Sequence, residues 1–118
     1  MQNYTFRPKS RQDLFDSIEE TLTAQHIKAG CVLSSVGSLA RAALRLANRE
    51  ILSEYNGYFK IVSITGTVSI FGSQFHISIS DGGVNTIGRH LAGGCRIYTP
   101  AENVIAGFRK IDCMHTCI

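Results

Sequence analysis

Tryptophan is absent from the 118 residues, proline occurs only as Pro8 and Pro100, and like charges never run beyond a pair. Without a long polar or proline-rich stretch there is no linker, so residues 1–118 read as one domain of ordinary size. No apolar stretch approaches the ~18 residues that a membrane-spanning helix needs. The start, Met1 to Gln12, is polar, carries Arg7, Lys9 and Arg11, and leads into no apolar core of a secretory signal. These absences predict a cytoplasmic protein with no membrane partner, in a compartment that keeps thiols reduced.

Catalytic signatures are missing too. No G-x-S-x-G elbow occurs, so the many serines lack the setting of a hydrolase nucleophile. Gly82, Gly83, Gly88, Gly93 and Gly94 have neither the lysine nor the following helix of a phosphate loop, and read as turn residues. Of the four cysteines, Cys31 and Cys95 sit in apolar surroundings as small buried side chains. Cys113, His115 and Cys117 form a C-x-H-x-C group in the tail, which lacks the paired spacing of structural zinc sites.

What is present is apolar enough to fold, at 44% apolar and 18% charged residues. The net charge of +3 is mild, and its densest group is Arg41, Arg45 and Arg49. That pattern permits contact with nucleic-acid phosphates but equally describes a solvated surface.

Asn3 to Arg7 predicts a first strand. Ser10 with Asp13 three residues on resembles a capping box, and Leu14, Phe15, Ile18, Leu22 and Ile27 then make one apolar helix stripe. Lys28 and Gly30 are the expected stop. Cys31 to Val36 is a β-rich run closed by Gly37. From Ser38 to Arg49 the alanine, leucine and arginine content favours helix, although a strand with Ala42, Leu44 and Leu46 facing inward fits the periodicity as well. Tyr58 to Phe71 is strand material, interrupted at Gly66 by a bulge or a close backbone approach. Gly72-Ser73 reads as a turn. Gln74 to Ser80 alternates cleanly, with Phe75, Ile77 and Ile79 on one face and Gln74, His76, Ser78 and Ser80 on the other. Turns at Asp81-Gly82-Gly83 and Gly93-Gly94 precede strands at Cys95 to Thr99 and Asn103 to Ile111. The fold class is α+β, a mostly antiparallel sheet of about six or seven strands with one main amphipathic helix.

Several segments, taken in order, resemble the plant-and-prokaryote conserved (PPC) domain family. They are Val36-Gly37-Ser38-Leu39, Ala43-Leu44-Arg45, Ile61 to Thr67, His76 to Asp81, Gly88-Arg89-His90-Leu91, Gly94 to Thr99 and Ala101 to Ile105. The resemblance implies an antiparallel sheet with a packed helix, assembled as a homotrimer. It also implies that Leu39 to Leu46 is a strand, against the composition. Prokaryotic members of this family often carry three histidines that resemble a metal-binding set. Here the matching positions hold Gln74, His76 and His90, with Arg89 in place of a glycine. The plant partner-contact segment corresponds to Gly57-Tyr58-Phe59-Lys60-Ile61, which departs at Tyr58 and Lys60. DNA binding in the family accompanies an Arg-Gly-Arg-Pro hook, and Arg7-Pro8-Lys9 lacks that core.

His76 and His90 are therefore the candidate site, with Gln74 beside them. Gln74 and His76 share the polar strand face, and the turn after Asp81 folds His90 back toward it. Two imidazoles with Gln74 or Asp81 would hold a zinc-like divalent metal weakly, being fewer than the three protein ligands of usual zinc sites. The plain alternative is that both histidines serve hydrogen bonds at a subunit interface. Three function classes follow: a trimeric module binding a metal or small ligand at Gln74, His76 and His90; a DNA-associated regulator using Arg41, Arg45 and Arg49 on phosphates; and a hydrolase or lyase.

Overall fold

The computed structural model describes residues 2–45, 52–69, 72–83 and 85–109. The elements run β1 (Gln2–Phe6), α1 (Leu14–Ala24), β2 (Ile27–Arg45), β3 (Leu52–Ser69), β4 (Gly72–Ser80), β5 (Thr86–Leu91) and β6 (Arg96–Arg109). Among the described residues, six strands in the order β1-β6-β2-β3-β4-β5 make one antiparallel sheet with a single helix, as the sequence predicts. The sheet also closes on itself, because β5 returns to pair with the end of β2 through Leu44 with Leu91 and Arg45 with His90.

The helix begins later than the capping-box reading places it. Asp13, not Ser10, is the N-cap: its backbone is extended, and its Oδ1 accepts from the Asp16 amide at 3.0 Å. Leu14, Ile18 and Leu22 then recur every four residues and are buried against the sheet. The helix ends at Ala24. His26 takes a left-handed φ of 57° and reverses the chain, so Ile27, Lys28 and Gly30 belong to β2. Gly30 is a close-approach residue in the sheet, where any Cβ would run into the Ala106 carbonyl of β6.

From Ser38 the chain is strand as far as Arg45, as the family resemblance implies and against the composition. Ala42, Ala43 and Leu44 are all buried, so alternation fails and composition misleads. Ala43, expected to face solvent, lies under the Gly94–Cys95 turn, with its amide 3.4 Å from Cys95 Sγ. Gly37 does not end β2 either; a Cβ there would meet Ala101 at 2.8 Å. Leu46 and Arg49 lie outside the described residues.

Gly66 is the close approach and not the bulge. It stands opposite Phe75, and a Cβ would strike the Phe75 ring, while the register shift falls between Ile61 and Ser63. Gly72 and Ser73 open β4 instead of forming a separate turn. The two last predicted strands are one, since β6 runs through Pro100. It does so because the ladder to β2 jogs at this point, and the Ala101 amide donates to the Pro8 carbonyl at 3.1 Å.

The Asp13 carboxylate has a second task. Its Oδ2 accepts from the Gly94 amide, tying the helix start to the turn that follows β5. We expect Asp13→Ala to cost about 2 kcal/mol, one cap plus one charge-assisted hydrogen bond. Asp13→Ser, which restores only the cap, should recover about half of that. Urea denaturation checks this, and an unshifted midpoint in Asp13→Ala would falsify the joint role.

Candidate functional site

The β4–β5 hairpin builds the site. Its turn is fixed by Asp81, whose amide donates to the Asn85 carbonyl at 3.1 Å. The Asp81 side chain accepts from the Gly83 amide at 2.8 Å and the Asn85 side-chain amide at 3.1 Å. The Gly83 bond first, then Asn85, hold the Asp81 carboxyl below its ordinary 3.8. A depressed carboxyl favours the closed turn above that ordinary value, and the contribution disappears as the pH falls through the lowered one. The hairpin is therefore set in register at neutral pH.

That register places His76 directly opposite His90. The ring centroids are 5.7 Å apart at an interplanar angle of 71°, an edge-on contact. His76 is exposed and His90 half-buried. Phe75, Ile77 and Ile79 face the core, as the alternation requires, and the histidines stand on the other face. Gln74 lies on that face one step along β4, exposed and level with Thr67 of β3. The sequence-predicted trio thus shares one polar face, with the two histidines in contact.

The row extends beyond the hairpin. Thr65 of β3 is opposite His76, and Arg45 of β2 is opposite His90. Sequence reasoning set Arg45 among the basic residues and not beside the histidines. Only the β2–β5 closure joins them, and no local pattern announces that pairing. Arg41 pairs with Glu54, Nη2 to Oε1 at 2.6 Å, so its charge is already engaged. Arg49, Cys113, His115 and Cys117 lie outside the described residues.

A resident metal is poorly served here. Among the described residues no three His, Cys, Asp or Glu side chains converge, and two imidazoles with an amide fall short of a usual zinc set. The residues present do not fit a structural divalent ion.

A different feature lies on the sheet surface of β2, β3 and β6. Leu33, Val36, Tyr58, Val62 and Tyr98 are all large, apolar or aromatic, and more than 45% exposed. Gly30 opposite Val68 and Ser38 opposite Lys60 keep one register, which sets Val36 level with Val62. Tyr58 and Tyr98 meet edge-on at 5.1 Å and 86°, arching over β2 between their strands. Valine and leucine are expected in strands on either face, so only the solved register separates these outward residues from the core.

Residues 1–109 match the model of the Plants and Prokaryotes Conserved (PCC) domain. The chain belongs to this family. Among solved structures, a hypothetical protein from Salmonella enterica superposes with a TM-score of 0.86 at 28% identity, covering 91% of this chain and 78% of that one. A metal-containing protein from Archaeoglobus fulgidus gives 0.77 at 21% identity over 92% and 81%. A candidate DNA-binding protein from Bacteroides thetaiotaomicron gives 0.79 at 15% identity over 90% and 78%. The last two, being so distant in sequence, share the PCC fold. In sequence, 106 residues, 87% of this chain, are 40% identical to part of the bifunctional protein GlmU of a Synechococcus strain. The chain spans 16% of that relative's length. No helix among the described residues is long and apolar enough to cross a membrane.

Among the described residues, Cys95 is the thiol that the PCC fold buries. Burial, opposed by hydrogen bonding to Ala43, pushes it from 9.0 up to about 11. Folding favours the neutral thiol, so its contribution to stability is complete below about pH 9. It is lost as the pH rises toward 11, where the unfolded chain gains a thiolate first. Stability should fall more steeply over that interval in the wild type than in Cys95→Ala. Iodoacetamide at pH 8 should leave Cys95 unmodified until urea is added; peptide mapping that finds it alkylated in the native protein overturns this.

Proposed function

We propose that this PCC domain is a self-associating binding module, homotrimeric, with its ligand site at the His76–His90 pair. One observation carries the reading: the cross-strand imidazoles stand on a polar sheet face, apart from an exposed apolar one. Assembly is supported by the family and by Leu33, Val36 and Val62, large apolar side chains left exposed on the sheet. The likeness to a short portion of a longer bifunctional protein is in keeping with a module that works beside other machinery. The reading takes the chain as cytoplasmic, where Cys31 and Cys95 stay as free thiols.

Enzymatic chemistry has less support, because the sequence carries no G-x-S-x-G nucleophile elbow. Duplex DNA is a weaker partner than the basic residues alone imply. Arg41 is held by Glu54, and contact through Arg45 and Arg49 would be with phosphates and sensitive to salt. Any zinc-like ion at Gln74, His76 and His90 would be held weakly and exchange freely.

Assembly is tested by sedimentation at micromolar concentration. The wild type should run as a trimer, and Val36→Glu should shift it to monomer by placing a charge on the apolar face; a monomeric wild type removes the proposal. The ligand site is tested by titrating zinc and inorganic phosphate separately. The wild type should bind at least one of them, and His90→Ala should lose that binding by tenfold or more. Unchanged binding in His90→Ala moves the site elsewhere.

A further inference from the structure

Asn56 alone among the asparagines of this chain is followed by glycine. An asparagine side chain carries its carbonyl carbon close to the next residue's backbone nitrogen, and a side chain on that next residue is the usual obstacle to their meeting. Gly57 has none. A regular strand keeps the two atoms apart, because extended dihedrals and ladder hydrogen bonds fix the following amide. At this point β3 is not regular. Leu39 stands opposite Phe59 and Arg41 opposite Asn56, so Ala40 on β2 faces both Gly57 and Tyr58 on β3. Such a bulge leaves one residue unpaired and disrupts the ladder locally. Gly57 takes a φ of 143°, in the region that favours glycine, and a Cβ built on it would meet nothing nearer than the Phe59 ring at 3.7 Å.

Both residues are also open to water, since Asn56 and Gly57 are exposed. Among the described residues β4 pairs with β3 only from Lys60 onward, so β2 is the strand that flanks this step. The other described asparagines are placed differently. Asn103 is 2% exposed, its Oδ1 accepting from the Ser35 hydroxyl and its Nδ2 donating to the Ala101 carbonyl. The Asn85 side-chain amide donates to Asp81 at 3.1 Å, within the β4–β5 turn. Asn3 lies in the β1–β6 ladder opposite Ala106 and is followed by Tyr4.

We infer that Asn56–Gly57 is a site of spontaneous deamidation, which sets a new carboxylate opposite Arg41. The Gly57 backbone nitrogen gives up its proton to water and attacks Asn56 Cγ. The new C–N bond closes a succinimide ring, and the bond from Cγ to the side-chain nitrogen breaks, releasing ammonia. Water then opens the ring at Cγ, giving aspartate, or at the main-chain carbonyl, giving isoaspartate. No oxidant or reductant enters. Either product lowers the net charge of +3 by one. Arg41 now reaches Glu54, Nη2 to Oε1 at 2.6 Å, although Glu54 stands opposite Ala43 and so lies on the diagonal. Directly opposite residues hold their Cβ atoms about 4.5–5.5 Å apart and diagonal ones about 7–8 Å. A carboxylate at position 56 therefore competes with Glu54 for the guanidinium from the nearer position. Isoaspartate also adds a methylene to the β3 backbone, two residues before the Tyr58 ring that meets Tyr98. The step is a one-way, time-dependent change of surface charge.

The experiment ages the wild-type protein at 37 °C and neutral pH and follows each asparagine by peptide mapping with mass spectrometry. We expect a gain of about one dalton at Asn56, split between aspartyl and isoaspartyl forms, at about ten times the rate of Asn3, Asn85 and Asn103 or faster. A synthetic peptide of residues 52–60, aged alongside, gives the rate without the fold. Because the bulge leaves the step free, the folded chain should convert within about tenfold of the peptide. Hydroxylamine, which attacks the succinimide, should cut the folded, aged protein between Asn56 and Gly57. Asn56→Gln, which keeps the amide on a longer side chain, should abolish both conversion and cleavage; the wild type carries the test whether or not this variant folds. An Asn56 that stays intact, or lags the peptide by more than about tenfold, overturns the inference, because the strand then locks the step. Asn56→Asp tests the electrostatic part: the NMR signal of the Arg41 guanidinium should move relative to the wild type, and an unmoved signal removes Arg41 from the proposal.

Discussion

Everything in this domain depends on how β2 shares its two edges. One edge pairs with β3, and the other pairs first with β6, as far as Arg41, and then with β5 at Leu44 and Arg45. A strand can change partner mid-course only if the first partner turns away and the second arrives at the right height. Both needs are met by the Gly94–Cys95 turn: Gly94 takes a left-handed φ of 102° and Cys95 Sγ lies against the Ala43 backbone. The Asp13 carboxylate holds that turn from the helix side. The helix cap, the end of β5 and the start of β6 are thereby one connected structure.

The parts that could be read in the sequence are those with one wet face. In β4, alternation separates Phe75, Ile77 and Ile79 from Gln74, His76 and Ser78, and the following Asp-Gly-Gly turn brings His90 back across the hairpin. Likewise α1 shows its buried stripe at Leu14, Ile18 and Leu22. By contrast the end of β2 is covered on both faces, so Ala42, Ala43 and Leu44 show no period and their helix-favouring composition goes unopposed. Pro100 divides β6 in the sequence but not in space, because the Pro8 carbonyl takes the neighbouring amide. Arg45 was legible as a charge but not as the strand partner of His90, since that pairing crosses a sheet closure between residues distant in the chain.

The sheet thus separates two kinds of surface. The outer side of β3, β4 and β5 is rich in hydroxyls and imidazoles, with Ser63, Thr65, Thr67, Gln74, His76, Ser78 and His90. The stripe through Leu33, Val36, Val62 and the Tyr58–Tyr98 pair offers little to hydrogen-bond and much to bury. A matched irregularity divides them: β3 shifts register against β4 between Ile61 and Ser63, letting Val62 and Ser63 both point outward. One bulge therefore lets the same strand serve both surfaces.

Among the described residues the β2–β5 seam joins Leu44 to Leu91 and Arg45 to His90, segments far apart in the chain. The ring is closed only while that seam is made. A molecule spanning the seam would act as a clasp, binding only the shut ring and by mass action lowering the share of open ones. Occupancy and stiffness would then be two readings of one equilibrium, and amide exchange along β5 would report how full the site is.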